Sequence, residues 1–180
     1  MKTIAFLPAH PSQVWLLRSI QPFLEESGQY KVQWVIRDKD ISCELADELG
    51  IDYVRISKAA TGLWGNAAEM FGNIFRCLVL GHKLNIDCWI TKYGSGNIAA
   101  YLSGKKSVSF NDDDIDQVPL IAHTSYPFAA NVLCPDVLRM GKYDHKSIRY
   151  RGCHELFYLH PNRFRADESV LEELGIEKGR

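Results

Sequence analysis

The feature that most constrains the fold of this chain is the alternation of short apolar runs with longer segments in which apolar residues recur at helical spacing. Such alternation is typical of a parallel sheet whose strands are joined by right-handed βαβ crossovers. It predicts an α/β fold, a three-layer sandwich with a mainly parallel sheet. The predicted strands cover residues 4–7, 32–36, 53–56, 88–91, 107–110, 131–134 and 148–150.

The intervening helices are predicted from periodicity and from their start and stop signals. Ser12 is placed to cap a first helix that ends at Gly28. Further helices are predicted over residues 41–49, 65–80, 98–102 and 118–129, with a short one from Asp136. The helix over 65–80 is the most apolar segment, and packing on the sheet is favoured over membrane contact at its Trp64 end. The residues expected to form its packing stripe are Ala67, Met70, Phe71, Ile74, Phe75 and Leu78.

Composition narrows the functional classes. A chain of 180 residues with 46% apolar content suits one well-buried core. The 21 basic and 22 acidic residues give a net charge of −1, so the overall charge favours neither nucleic acid nor an anionic membrane as a partner. The five cysteines contain no CxxC pair, so neither a disulfide framework nor a zinc cluster is predicted, and a reducing cytoplasm is the expected location. The first apolar run is too short for a signal peptide, and no transmembrane segment is predicted.

Candidate functional residues are sought after the strands, because ligands of open parallel sheets bind beyond the carboxyl ends of the strands. Polar loop residues are also common simply because loops face water, so this explanation stays open for each one. The turn after the first strand lacks G-x-G-x-x-G, which disfavours a dinucleotide, and no cofactor is predicted. The residues that follow strands are His10, Arg37, Tyr93, Gly94, Ser95, Asn111 to Asp114, and Arg151 to Glu155.

His10 is the first candidate for catalysis, since an imidazole at this position can take a proton from a hydroxyl group at neutral pH. The alternative is a histidine that braces the turn between Pro8 and Pro11. Ser12, in the same turn, is a candidate for substrate binding.

The segment from Tyr93 to Gly96 forms a small-residue turn into a helix. The backbone N–H groups of Gly94 and Ser95 and the serine hydroxyl could bind a phosphate or a sugar there, helped by the helix dipole. Glycines that only make a tight turn are the alternative. Tyr93, Gly94 and Ser95 are therefore predicted to bind substrate.

The acidic triplet Asp112, Asp113 and Asp114 follows the fifth strand, and adjacent carboxylates suit divalent cations. The favoured alternative is a solvated loop in which Asn111 or Asp112 caps the next helix. No metal is predicted, and Asn111 and Asp112 are assigned to substrate binding. The histidines at 82, 123, 145 and 160 have no metal-ligand spacing.

His154 and Glu155 follow a glycine after the last strand. Such a pair could bind substrate or supply a proton, and it could equally anchor a hinge. His154 is predicted to bind substrate, and Glu155 is predicted to be catalytic together with His10.

Several motifs together give a resemblance to a known family. They are Pro-Ala-His-Pro at 8–11, "GIDY" at 50–53, Gly-Ser at 94–95, "SFNDDD" at 109–114, "IRYRGCHELFYL" at 148–159 and "SVLEELGI" at 169–176. On these motifs the chain resembles the N-terminal half of an uncharacterised bacterial and archaeal family with a GT-B glycosyltransferase fold. That family is distantly similar to the peptidoglycan N-acetylglucosaminyltransferase and to UDP-N-acetylglucosamine 2-epimerases.

The resemblance implies a Rossmann-like domain over residues 1–155, followed by a linker and the start of a missing C-terminal domain over 156–180. In GT-B enzymes the N-terminal domain chiefly receives the acceptor and the C-terminal domain holds most of the nucleotide sugar. The implied partners are therefore a nucleotide sugar, a sugar or lipid-linked acceptor, and a C-terminal domain, in the same chain or in a partner chain. A peripheral location at the inner membrane face would suit a lipid-linked acceptor.

The resemblance also implies roles for particular residues. His10, Ser95, Asn111, His154 and Glu155 would line one wall of the cleft, with His10 or an acidic neighbour as the base. Two other readings stay open: a non-catalytic sugar-binding, nucleotide-binding or scaffold module, and half of an enzyme like the UDP-sugar 2-epimerases.

Overall fold

The computed structural model describes residues 1–167 and 169–176, and the side chain of Leu63 lies outside this description. It contains a seven-stranded sheet in which every neighbouring pair is parallel. The predicted α/β sandwich is therefore confirmed. The strands are β1 (Lys2–Leu7), β2 (Tyr30–Asp38), β3 (Tyr53–Lys58), β4 (Ile86–Thr91), β5 (Lys106–Phe110), β6 (Asn131–Pro135) and β7 (Ser147–Tyr150). The helices are α1 (Pro11–Glu26), α2 (Ser42–Glu48), α3 (Gly62–Lys83), α4 (Gly94–Leu102), α5 (Pro119–Thr124), α6 (Leu156–Leu159) and α7 (Ser169–Glu173).

The strand order is β3-β2-β1-β4-β5-β6-β7. From β1 the chain first builds outward through β2 to β3, and then returns to place β4 on the other side of β1. The loops that leave β1 and β4 therefore diverge to opposite sides, and they leave a crevice between the carboxyl ends of these two strands. Helices α1 and α4 both begin at this edge, which sets the position of the candidate site.

The core has one layer on each face of the sheet. Along β1, Ile4 and Phe6 pack toward α1 and α2, whereas Ala5 and Leu7 pack with residues of α3 and α4. This division follows from the two-residue side-chain period of a strand that is buried on both faces. A third cluster lies around Tyr126 and Tyr143, whose rings meet edge to face at 5.6 Å.

Several helix predictions differ from the structure. Helix α4 begins at Gly94, four residues before the predicted start at residue 98. Helix α1 begins at Pro11 with His10, not Ser12, as its N-cap residue. Of the helix predicted over 118–129, only α5 is helical, and turns follow it. Pro127 lies in these turns, and proline cannot donate the backbone hydrogen bond that a continuing helix needs. In place of a helix starting at Asp136, a 3₁₀ helix covers Gly141–Lys146.

Helix α3 is longer than predicted, and part of its expected packing stripe was wrong. Phe71 and Phe75 are 65% and 68% exposed, whereas Met70, Ile74 and Leu78 are half-buried. A helix in the outer layer of a sandwich has only one face on the sheet, so the sheet does not cover aromatic residues on the opposite face. None of the helices in the described part of the chain is long and apolar enough to cross a membrane.

After β7, the chain returns to the first helix. Helix α6 packs against α1, and Tyr158 stacks on Trp15 at 6.5 Å. Helix α7 follows, and none of its residues is buried. Helix α7 lies within the motif at 169–176, while Glu168 and residues 177–180 lie outside the described residues. The proposed division at residue 155 stays a prediction.

Candidate functional site

The crevice between β1 and β4 is held together by Thr91. Its hydroxyl donates a hydrogen bond of 2.7 Å to the carbonyl of Leu7 and accepts one of 2.8 Å from the N–H of Tyr93. The last residues of the two central strands are therefore fixed to each other and to the turn that opens α4. This arrangement gives the crevice a rigid floor.

His10 lies at the mouth of the crevice, exposed to solvent. Its Nδ1 atom is 3.3 Å from the backbone nitrogen of Ser12 and 3.0 Å from the Ser12 hydroxyl. If Nδ1 accepts from the Ser12 N–H, the neutral ring carries its proton on Nε2. If Nδ1 donates to the hydroxyl, Nε2 is free to accept a proton. Because the Ser12 N–H can only donate, the capping bond makes Nδ1 an acceptor and puts the proton of the neutral ring on Nε2. Nε2 becomes a base only when His10 gives up this cap and Nδ1 carries the proton.

The first turn of α4 contributes to packing, whether or not it also binds a ligand. A β-carbon on Gly96 would lie 2.9 Å from Leu7 Cδ2 and 3.0 Å from Thr91 Cγ2, so only glycine lets α4 approach the sheet this closely. Ser95 is fully buried, and its hydroxyl donates to the carbonyl of Met70 at 3.3 Å. Its hydroxyl thus faces α3, and any ligand contact of Ser95 would use its backbone N–H.

Lys92, immediately after β4, joins the crevice to the acidic triplet. Its ammonium group forms ion pairs with Asp112 and Asp113. His154 Nδ1 lies 3.4 Å from the second oxygen of Asp112. Burial alone would raise the pKa of Asp112, but hydrogen bonds from His154 and Lys92 lower it below its usual range, so the carboxylate stays ionised. Asp112 nevertheless keeps 41% of its side chain exposed, which leaves it accessible to a ligand.

The acidic triplet is divided between two cations. Asp114 pairs with Arg139 at 2.8 Å, on the opposite side from Lys92. Neither Asn111 nor Asp112 caps α5, whose N-cap residue is Val118, so that alternative was wrong. Within residues 1–167 and 169–176, no group of three or more His, Cys, Asp or Glu side chains is arranged to hold a metal ion.

His154 is enclosed in an aromatic box. It stacks on Tyr150 with ring centroids 6.0 Å apart and meets Phe110 edge to face at 5.6 Å. Because Nδ1 faces the carboxylate of Asp112, it carries a ring proton. Nε2 is buried without a hydrogen-bond partner among the described residues. His154 is therefore placed to fix Asp112 rather than to face the crevice.

The remaining predicted residues differ in accessibility. Asn111 is fully buried, and its side-chain amide is used by the backbone of Asp113 and by the sulfur of Met140. Glu155 is exposed at the start of α6. The structure thus gathers Lys92, Asp112 and His154 into one cluster, while the hydrogen bonds of the His10 side chain go to Ser12.

Sequence reasoning missed a buried network behind Tyr93. Arg37, which ends the buried part of β2, binds Glu69 of α3 through two hydrogen bonds of 2.6 and 2.7 Å. The Asn73 amide nitrogen lies 3.2 Å from both Glu69 Oε1 and the Tyr93 hydroxyl. The Arg37 guanidinium also lies 5.2 Å from the Tyr93 ring centroid. Tyr93, the N-cap residue of α4, is therefore positioned from behind by α3.

Comparisons with known proteins agree with this geometry. The chain is similar to a UDP-N-acetylglucosamine 2-epimerase with a TM-score of 0.74 and 12% identity, over 97% of this chain and 55% of that one. For MurG of Acinetobacter baumannii the TM-score is 0.60 with 16% identity, over 75% of this chain and 41% of that one. For the lipopolysaccharide outer core galactosyltransferase WaaB it is 0.54 with 15% identity, over 73% and 38%. No protein-family model and no curated protein sequence matches.

These similarities define the class of fold. The chain has the Rossmann-like α/β fold of one half of GT-B enzymes, as the resemblance of its motifs implied. It spans between 38% and 55% of the length of the three structures. At identities of 12 to 16%, the likeness concerns the fold alone.

Proposed function

We propose that this chain is the acceptor-side domain of a GT-B glycosyltransferase that uses a nucleotide-sugar donor and acts together with a C-terminal domain. The observation that carries the proposal is the carboxyl edge of the parallel sheet, where the exposed His10 follows β1 and the ionised Asp112 follows β5, linked by Lys92 to the end of β4. Sugar transfer needs a base for the acceptor hydroxyl, and this edge of the sheet supplies candidates for it.

His10 is the proposed base. Nε2 can accept the proton of an acceptor hydroxyl, as the sugar–phosphate bond breaks, once Nδ1 releases the Ser12 N–H that it accepts as the cap of α1 and donates instead to the Ser12 hydroxyl. Asp112, held ionised by Lys92 and His154, is a weak base and is better suited to accept hydrogen bonds from acceptor hydroxyl groups. Glu155 remains the second candidate for proton transfer, since it is exposed near His154 in sequence.

The proposed donor is a UDP-sugar, because the similar structures include an enzyme named for UDP-N-acetylglucosamine. Substrate binding stays proposed for Tyr93, Gly94 and Ser95, which form the start of α4. It also stays proposed for Asn111, whose side chain supports the loop after β5. We place the protein in the cytoplasm, where the five free cysteines would remain reduced. A lipid-linked acceptor would add peripheral attachment to the inner membrane face.

The second candidate is half of an epimerase acting on UDP-sugars, which the similarity to such an enzyme favours. The two reactions differ in their requirement for an acceptor. Transfer releases UDP only when an acceptor hydroxyl is present, whereas epimerisation changes the sugar of the UDP-sugar without one. A module that binds but does not react would give neither product.

The experiment measures UDP release from UDP-N-acetylglucosamine by the full-length protein that contains this chain, with and without an organic extract of cell membranes as a source of lipid-linked acceptors. Acceptor-dependent UDP release supports transfer, and isomerised UDP-sugar without acceptor supports epimerisation. Replacing His10→Ala should lower the rate about 10²–10⁴-fold, because a general base is lost. His123→Ala, an exposed histidine on α5, is the matched control. A His10→Ala rate within a few-fold of the unchanged protein would eliminate His10 as the base.

A further inference from the structure

Helix α3 carries an apolar row on the face that points away from the sheet. Trp64, Phe71, Phe75 and Val79 are 85%, 65%, 68% and 49% exposed. At 100° per residue their spacing places them within a sector of about 80°, so they form one continuous row along the helix. The opposite face carries the buried residues Glu69, Asn73 and Cys77. Helix α3 therefore carries an apolar row on a side that none of the described helices or strands covers.

The exposed charged residues of α3 near this row are all basic. Arg76 and Lys83 are exposed on α3. The only acidic residue of the helix is Glu69, which is buried in its pair with Arg37. Arg55, on the neighbouring edge strand β3, is 58% exposed and pairs with Asp38 at 3.4 Å. It lines a shallow apolar cleft of about 350 Å³ with Phe75 and Val79. The surface thus combines exposed aromatic rings with flanking cations.

The combination of aromatic and basic side chains indicates what this surface binds: a second copy of the chain or a lipid bilayer. In a symmetric pair of α3 helices, the cations of one copy would meet those of the other, without exposed acidic groups on α3 to balance them. An aqueous face would not carry four large apolar side chains in a row. The boundary of an anionic bilayer satisfies both features, because aromatic side chains enter the headgroup region and basic side chains attract acidic lipids.

We propose that the outward face of α3, formed by Trp64, Phe71, Phe75 and Val79 with Arg76 and Lys83, docks the protein on the surface of a bilayer that contains acidic phospholipids. Helix α3 begins after β3, so its Trp64 end lies at the carboxyl edge of the sheet, as the candidate site does. Docking along α3 would thus bring the crevice close to the lipid headgroups.

This inference names the surface by which the protein would attach to the membrane, and it rests on the lipid-linked acceptor of the proposed function. Its test uses vesicles without nucleotide sugar, so failure of docking and failure of the transferase proposal are distinguishable. The full-length protein is floated with vesicles of phosphatidylcholine alone and with vesicles that also contain phosphatidylglycerol. We expect binding to the second kind only, with binding reduced by added salt.

Variants assign the binding to this surface. Phe71→Ser with Phe75→Ser should abolish vesicle binding, and Arg76→Glu should weaken it at least several-fold. The matched control is Leu120→Ser with Val137→Ser, because these residues are 76% and 81% exposed elsewhere on the surface. Circular dichroism of each variant checks that the fold is retained, and a double serine variant that unfolds is replaced by Trp64→Ser, whose side chain is the most exposed of the row.

Three outcomes would overturn the proposal. They are failure to bind phosphatidylglycerol vesicles, equal binding by the α3 variants and the control variant, and a dimer in solution that the α3 substitutions dissociate. The last result would assign the surface to a second copy of the chain.

Discussion

The buried pair of Arg37 and Glu69 gives the sharpest prediction of stability. Glu69 receives hydrogen bonds from two nitrogens of Arg37, from the Ser57 hydroxyl, from the Ala60 N–H and from Asn73. Its side chain is 5% exposed. Glu69→Gln removes the charge and points an amide N–H₂ at groups that are themselves donors. Breaking one side of a buried ion pair costs about 3–5 kcal/mol, and we expect a loss in that range.

The pKa of Glu69 gives an independent value for the same interaction. Burial alone would raise this pKa, but the hydrogen bonds from Arg37, Ala60 and Ser57 outweigh it and lower the pKa from 4.5 to about 2. A shift of this size corresponds to about 3 kcal/mol. Since the folded-state pKa is the lower one, the stabilisation is complete above about pH 5 and is lost as the pH falls toward about 2.

The assay is urea unfolding followed by circular dichroism, at pH 7 and at a series of lower values. The free energy of unfolding of the Glu69→Gln protein should fall by about 3–5 kcal/mol at pH 7, and the difference from the unchanged protein should narrow below about pH 5. Glu48→Gln, an exposed position on α2, is the control and should change stability by less than about 0.5 kcal/mol. A loss under about 1 kcal/mol for Glu69→Gln, or a difference independent of pH, would refute the reasoning.

Three further predictions concern the interior. Gly96→Ala should cost about 1–3 kcal/mol because its β-carbon lacks space, and Gly65→Ala, with its nearest neighbour at 3.4 Å, should cost less in the same unfolding assay. Tyr126→Phe should change stability by less than about 1 kcal/mol, because it deletes a buried hydroxyl without a partner among the described residues; a larger loss would indicate a hydrogen bond. Asn73→Ala and Tyr93→Phe should show a coupling of about 0.5–3 kcal/mol in a double-mutant cycle, and additive effects would contradict their contact.

The sheet was predictable because each strand is a short apolar run with clear boundaries. Residues after the strands were also predictable, since parallel strands place their carboxyl ends at one edge. The pairing of Arg37 with Glu69 was not, because 32 residues separate them and the contact depends on the rotation of α3 about its axis. The orientation of His154 was hidden for a similar reason, since its aromatic box combines β5, β7 and α6.

The exposed row on α3 escaped prediction because periodicity cannot tell the two faces of a helix apart when both are apolar. Phe71 and Phe75 fitted a packing stripe with Ile74, yet Glu69 and Asn73 decide the rotation of the helix. Their polar groups find partners at the carboxyl ends of β2 and β3, at Ala60 and at Tyr93, all on the inward side of the helix. Since an unpaired buried carboxylate is costly, this network turns the aromatic residues outward.

The two opposite faces of α3 therefore belong to two different parts of the protein. Its inward face fixes Tyr93 at the start of α4 through Asn73, and its outward face carries the row that begins at Trp64. Because Phe71 and Phe75 make none of the hydrogen bonds of the inward network, serine substitutions at these two positions should leave that network and the crevice intact, whereas Arg76 donates to Asn73 and belongs to both faces. Vesicle binding and UDP-sugar turnover of a soluble acceptor are then separable, whereas turnover of a lipid-linked acceptor should fall with vesicle binding. The proposed docking thus makes the choice of acceptor, rather than the chemistry at the crevice, depend on α3.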